Sequence, residues 1–261
     1  MKVALNNKLN IVFDLDGTVI KNGVKMHDTI SDYILNLSTY FNVFFASARP
    51  VRDMLPLIPN TLHNTILVGC NGGQAWYNGK IIISNHFKND DVNKILELLN
   101  HIDMSYVLDT DWNYSFSTKA HEFHDYIRQL SLGEIEEREA IKLGITKILI
   151  LDGKYSNLIK EHLENNKILN EINFHKNEGI FDITPQHTDK ENTLKLLGID
   201  FNHTISLGND KNDFKMLGSS SISLFVGDKK DYSHATYYCD MDTLLPTLNR
   251  AIKNFGINYN G

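Results

Sequence analysis

The sequence predicts an α/β protein: a doubly wound, mostly parallel sheet interrupted by an inserted segment of α+β character. Three observations lead there. Short apolar runs alternate with helical spacing at the start of the chain, the same alternation returns near its end, and the stretch between mixes a hairpin, helices and short strands.

The elements follow in order. Asn10-Ile-Val-Phe-Asp-Leu-Asp16 is apolar until its acidic end and is bounded by Gly17, as expected of a strand buried on both faces. Ile30, Tyr33, Ile34, Leu37 and Phe41 recur at helical spacing, residues 43–46 form a second strand, Pro50 stands where a helix can begin, and residues 66–68 form a third strand. After Asn71-Gly-Gly73, two short runs flank Asn78-Gly79, the preferred pair for a two-residue hairpin turn. Val92, Ile95, Leu96, Leu99 and Ile102 give a helical stripe. Strands are expected at 105–108, 114–117, 147–151 and 180–183, with a helix at 158–163. The first pattern then resumes, with a helix at 189–197, a buried strand at 204–207, a helix at 213–217, strands at 222–226 and 235–239, and a closing helix at 241–252. The inserted segment is placed at 84–183, leaving 1–83 and 184–261 as one core.

Composition narrows the function. With 261 residues, 42% hydrophobic and 22% charged, the chain has the balance of a soluble globular protein large enough for two domains. A net charge of -6 argues against nucleic acid or an anionic membrane as the main partner. An anionic small molecule would need local positive charge at its site. Cys70 and Cys239 lie far apart without metal-ligand spacing and are read as buried free thiols. The apolar stretch at Val3 to Leu5 is too short for a signal-peptide core, and no run is long enough to span a membrane, so a cytoplasmic protein is expected.

Four segments carry chemistry, each at an expected strand end, where α/β folds bind ligands. Asp14 and Asp16 in Asp14-Leu-Asp-Gly-Thr18 are costly to bury without a cation or a proton. Ser47-Ala-Arg49 offers a hydroxyl and backbone N–H groups suited to phosphate oxygens. Lys190 starts a helix after Asp189. Gly208-Asn-Asp-Lys-Asn-Asp213 supplies hard oxygen donors in a turn, suited to Mg²⁺. Each alone also reads as ordinary structure: a strand-to-turn junction, a helix cap, a solvated lysine and an Asx-rich turn.

Together, in this order, the four resemble the motifs of the haloacid dehalogenase (HAD) superfamily. Cys70-Asn-Gly-Gly73, Phe181-Asp-Ile183 and Phe214-Lys-Met-Leu217 resemble segments of its Cof-type subfamily. The resemblance spans the chain and implies a Rossmannoid core with a C2-type α+β cap inserted between the second and third motifs. It implies a phosphatase acting on a small phosphorylated metabolite, a sugar phosphate or similar. Asp14 would be the nucleophile and Asp16 the general acid and base. Ser47, the N–H of Ala48, Lys190 and Asn212 would hold the phosphoryl oxygens. The resemblance also implies a Mg²⁺ site at Asp14, the carbonyl of Asp16 and the fourth motif: Asn209, Asp213 as its main anionic contributor, either directly or through an ordered water, and Asp210 as a fallback. Such enzymes usually carry Asp where this chain has Asn209, which weakens the expected donor set. The same signature admits a sugar phosphomutase, and the fold alone admits a non-catalytic binding protein. His121-Glu-Phe-His124 departs from the HExxH zinc pattern and is placed on the cap surface, and Trp76, Tyr77 and Trp112 are read as packing residues.

Overall fold

The computed structural model describes residues 8–175 and 179–255; Val3 to Leu5 lies outside them. The chain begins with β1 (Asn10–Phe13), α1 (Asp28–Tyr40), β2 (Asn42–Ala46), the single turn α2 (Val51–Met54) and β3 (Ile66–Gly69). The hairpin β4 (Gln74–Tyr77) and β5 (Lys80–Ser84) follows. Next come α3 (Asn89–His101), β6 (Tyr106–Asp109), β7 (Tyr114–Phe116), α4 (Glu122–Leu130), α5 (Glu137–Leu143), β8 (Lys147–Ile150), α6 (Ser156–Asn165), β9 (Asn170–Phe174) and β10 (Phe181–Pro185). The chain closes with α7 (Lys190–Leu196), β11 (Thr204–Gly208), α8 (Phe214–Ser219), β12 (Ile222–Val226), β13 (Tyr237–Cys239) and α9 (Leu244–Asn254).

Two sheets result. The larger runs β13-β12-β11-β1-β2-β3-β4-β5, parallel from β13 to β3 and antiparallel at the hairpin edge. Its central strand β1 explains why the sequence there is continuously apolar. Ile11 and Phe13 pack with α1 and α9 on one face, while Val12 packs with Leu194 of α7 and Met216 of α8 on the other. At the hairpin tip Asn78 and Gly79 have φ of 50° and 78°, the doubly positive turn that their side chains tolerate.

The smaller sheet runs β7-β6-β8-β10-β9, antiparallel throughout. Strand residues of alternate parity face its two sides. Tyr106, Leu108, Ile148 and Ile150 pack with α3, α5 and α6, and Val107 and Leu149 pack beneath Ile127 of α4. α4 thus lies on the face turned toward the larger sheet's carboxyl ends, since its Tyr126 reaches Arg49 there.

Several expectations need correction. The structure adds α4, α5 and β9, where the sequence predicts no element. α9 starts at 244 rather than 241, β13 at 237 rather than 235, and Asp189 is the cap of α7, its side chain accepting from Asn192 N at 2.7 Å. His124 is buried at 3% exposure and stacks on Phe116, ring centroids 4.3 Å apart, so it is cap interior rather than surface. His121 caps α4, its Nδ1 accepting from Phe123 N at 3.1 Å. Cys70 is buried and Cys239 half-buried, both free thiols. Trp76 belongs to the core, whereas Trp112 is exposed.

Candidate active site

Parallel register brings the four singled-out segments together. Phe13 lies beside Phe45 and Leu207, so the chain leaves β1, β2 and β11 at one level. The junctions are tied: Asp14 N donates to Leu207 O at 3.0 Å and Ser47 N to Val68 O at 2.8 Å. Asp14, Ser47 and the loop after Gly208 therefore meet at the carboxyl edge of the sheet.

Asp14 is 5% exposed, and both its oxygens are engaged. Oδ1 accepts from Lys190 Nζ at 2.6 Å and Oδ2 from the Thr18 hydroxyl at 2.9 Å. Lys190 is fully buried and donates also to Asp213 Oδ1 at 2.6 Å. One ammonium thus serves two buried carboxylates. Burial, then the nearby Asp213 carboxylate, pushes Asp14 up to about 7 against the pull of Lys190. The two carboxylates raise Lys190 despite its burial, so it stays charged.

The fourth segment is shaped by Asp213. Its Oδ2 accepts from Asn209 N at 3.0 Å and Asp210 N at 3.1 Å, closing a capping box with Asp210. With Oδ1 on Lys190 and no exposed surface, Asp213 has no oxygen turned to the cleft. Both its oxygens are thus taken up in bracing the loop and holding Lys190.

Asn209 does face Asp14. Its side-chain amide lies 3.0 Å from both Asp14 Oδ2 and the Asp16 carbonyl oxygen, satisfied with its nitrogen donating to both; turned over, it presents its oxygen to them at the same distance. Oxygens about 3.0 Å apart span one edge of an octahedron with metal–oxygen bonds of about 2.1 Å, the spacing of Mg²⁺. The donor set fits such a cation: one carboxylate, one main-chain carbonyl and one amide. It holds few charged ligands; among the described residues no group of three His, Cys, Asp or Glu side chains is arranged to hold a metal.

The Asp16 carboxylate turns toward Arg49, which grips it with two bonds, Nε–Oδ2 at 2.6 Å and Nη2–Oδ1 at 2.9 Å. Arg49 Nη1 donates to the Tyr126 hydroxyl of α4 at 2.9 Å. Ser47 Oγ accepts from Arg49 N at 3.1 Å, which leaves its hydroxyl proton free to be donated elsewhere. Asn212 donates to Asn71 Oδ1 at 2.8 Å, and its own buried Oδ1 has no partner among the described residues.

These groups line a cleft of about 660 Å³ between the two sheets. Asp14, Asp16, Ser47, Ala48, Asn209, Asp210 and Asn212 are on its wall; Lys190 and Asp213 stand behind Asp14 and do not reach it. α4 and the smaller sheet contribute Phe123, Tyr126, Ile127, Leu149 and Ile180, with Asp109, Lys147 and His175 as polar groups among them. Lys147 is paired with Asp109 and Asp182 at 3.4 and 3.5 Å. Sequence reasoning missed Tyr126, which stands in a helical stripe with Phe123, Ile127 and Leu130, and Lys147 and His175, which no motif marks, whereas Arg49 and Thr18 lay inside motif segments without a role.

The family model for haloacid dehalogenase-like hydrolases matches residues 11–242. A sugar phosphatase described as HAD subclass IIB is 17% identical, with 95% of this chain and 99% of that one covered and a TM-score of 0.73. A haloacid dehalogenase-like hydrolase from Bacteroides thetaiotaomicron gives 18%, 95%, 100% and 0.79. A Thermotoga maritima structure gives 20%, 93%, 97% and 0.77. No curated protein matches. Among the described residues, no helix is long and apolar enough to cross a membrane.

Proposed function

The chain belongs to the haloacid dehalogenase-like hydrolases, and from that premise we propose that it is a magnesium-dependent phosphomonoesterase, acting on a sugar phosphate or similar small metabolite through an aspartyl-phosphate on Asp14. One observation carries the reading. A carboxylate at the end of a buried strand meets a buried ammonium on one oxygen, and its other oxygen shares the Asn209 amide with the Asp16 carbonyl at 3.0 Å each.

The Asp14 carboxylate attacks phosphorus as the bond to the ester oxygen breaks, and Asp16 gives that oxygen its proton. Water then attacks the acyl phosphate while Asp16 takes the proton, releasing phosphate and restoring Asp14. The Ser47 hydroxyl, Ala48 N–H and Asn212 amide orient the phosphoryl oxygens. Lys190 acts from behind, offsetting the charge of the attacking carboxylate. Mg²⁺, held by Asp14, the Asp16 carbonyl and Asn209, supplies positive charge to the phosphoryl group when bound. Residues 84–183 form the cap that closes over the substrate and excludes water. Its wall in the cleft mixes apolar and paired polar groups, as a hydroxylated organic group requires.

Phosphate release across sugar phosphates, nucleotides, flavin mononucleotide and pyridoxal phosphate tests the activity. A Mg²⁺-dependent rate with a preference for sugar phosphates is expected; no release from any of them would refute it.

Two predictions concern the cation. Because Asp14 is held up at about 7 in the metal-free protein, Mg²⁺ must displace its proton at lower pH. Affinity should fall about tenfold per unit below pH 7, by calorimetry. A pH-independent affinity would place the cation away from Asp14. Asn209→Asp adds a charged ligand beside Asp14 Oδ2 and should lower the half-saturating Mg²⁺ concentration roughly tenfold. An unchanged titration would remove Asn209 from the coordination sphere.

A further inference from the structure

The Asp16 carboxylate has one hydrogen-bonding partner among the described side chains, the Arg49 guanidinium. That guanidinium is held at its other end by the cap. Nη1 donates to the Tyr126 hydroxyl at 2.9 Å, and the guanidinium lies 5.8 Å from the Tyr126 ring centroid. The hydroxyl donates in turn to Gly23 O at 3.3 Å, on the loop that follows Asp16 and Thr18. Phenol, guanidinium and carboxylate thus form a chain from α4 to the residue assigned the proton transfers. The loop is shaped to receive it. A Cβ at Gly23 would stand 3.0 Å from Tyr126 Oη and 3.2 Å from Arg49 Nη2, and its φ is +64°.

We propose that Arg49 and Tyr126 are positioning residues that tie the orientation of Asp16 to the docked position of the cap. The proposal rests on the reading of Asp16 as general acid and base. A carboxylate on a short side chain rotates freely in water; two bonds to a planar fork leave it one orientation. The fork keeps its own orientation while Tyr126 anchors its third nitrogen. When α4 lifts, that anchor leaves and Asp16 loses its aim. A base that is out of line slows the attack of water on the aspartyl-phosphate. Departure of an activated leaving group, which needs no acid, is unaffected.

An aryl phosphate substrate separates these steps. Its kcat/KM runs only to departure of the aryl oxide, whereas kcat includes hydrolysis of the phosphoenzyme. Tyr126→Phe keeps the ring and removes the anchor. It should lower kcat about tenfold, lower KM in parallel, leave kcat/KM unchanged and produce a burst of one aryl oxide per enzyme. Arg49→Lys, which cannot make the two-bonded grip, should show the same pattern. A parallel fall of kcat and kcat/KM in Tyr126→Phe would mean a loosened cap and overturn the proposal, as would wild-type kinetics. Asp16→Asn distinguishes this failure from failure of the underlying reading. A burst in Asp16→Asn without one in Tyr126→Phe sinks the link to the cap alone. No burst in either variant sinks the role of Asp16 and the link with it.

Discussion

Asp14→Asn should remove turnover, by at least about a thousandfold, and at the same time stabilise the metal-free protein above pH 7. The first effect follows from chemistry, because a neutral amide is a poor nucleophile toward phosphorus. The second follows from the charge count around Lys190, where one ammonium is shared by two carboxylates of 5% and 0% exposure. The folded protein holds the Asp14 proton up to about pH 7, mainly through burial, whereas the unfolded chain releases it near 3.8. Between those values the folded state binds more protons, so this contribution to stability is complete below about pH 4 and is lost as pH rises to 7. The amide has no proton to lose, and the Thr18 hydroxyl can turn to accept from it. In denaturant titrations with a chelator, the variant should gain on the order of 2 to 4 kcal/mol at pH 8, and the gain should vanish near pH 4. A variant less stable than wild type at pH 8 would show that Asp14 is not held up by its surroundings.

Lys190→Met should do the reverse. It leaves Asp14 and Asp213 buried without their shared cation, a loss of about 3 to 5 kcal/mol near neutral pH. Methionine fills most of the space, so the deficit is one of charge and should shrink as acid neutralises the carboxyls. Activity should disappear as well, because the loop braced by Asp213 and the attacking carboxylate both lose their partner. Adding Asp14→Asn to Lys190→Met should restore part of the stability by removing one unpaired charge. A gain from Asp14→Asn no larger in the Lys190→Met background than in the wild type would mean that Asp14 and Lys190 act independently.

What the sequence made legible was the part fixed by neighbours in the chain. Apolar runs marked β1, β2, β11 and β12 because parallel strands covered on both faces leave no polar alternation. Acidic and small residues at their ends located Asp14, Ser47 and the 208–213 loop, which register then assembles. What stayed hidden depends on tertiary packing. Lys190 reads as a solvated or substrate-facing cation, and only the fold reveals that it is fully buried behind Asp14. Asp213 looked like the strongest metal ligand of its loop, yet both oxygens serve the loop and Lys190. α4 carries Phe123, Tyr126, Ile127 and Leu130 at helical spacing, a stripe present in the sequence, but spacing alone does not say what that stripe packs against. That Tyr126 of this stripe meets Arg49 follows only from the tertiary position of α4.

The most direct test is to acid-quench the enzyme during turnover and locate phosphate by peptide mass spectrometry. One phosphoryl group on the peptide carrying Asp14, released by hydroxylamine and absent from Asp14→Asn, is the expected result. Sustained hydrolysis with no phosphoenzyme under any quench, or with phosphate on another residue, would contradict the assignment of Asp14 as nucleophile.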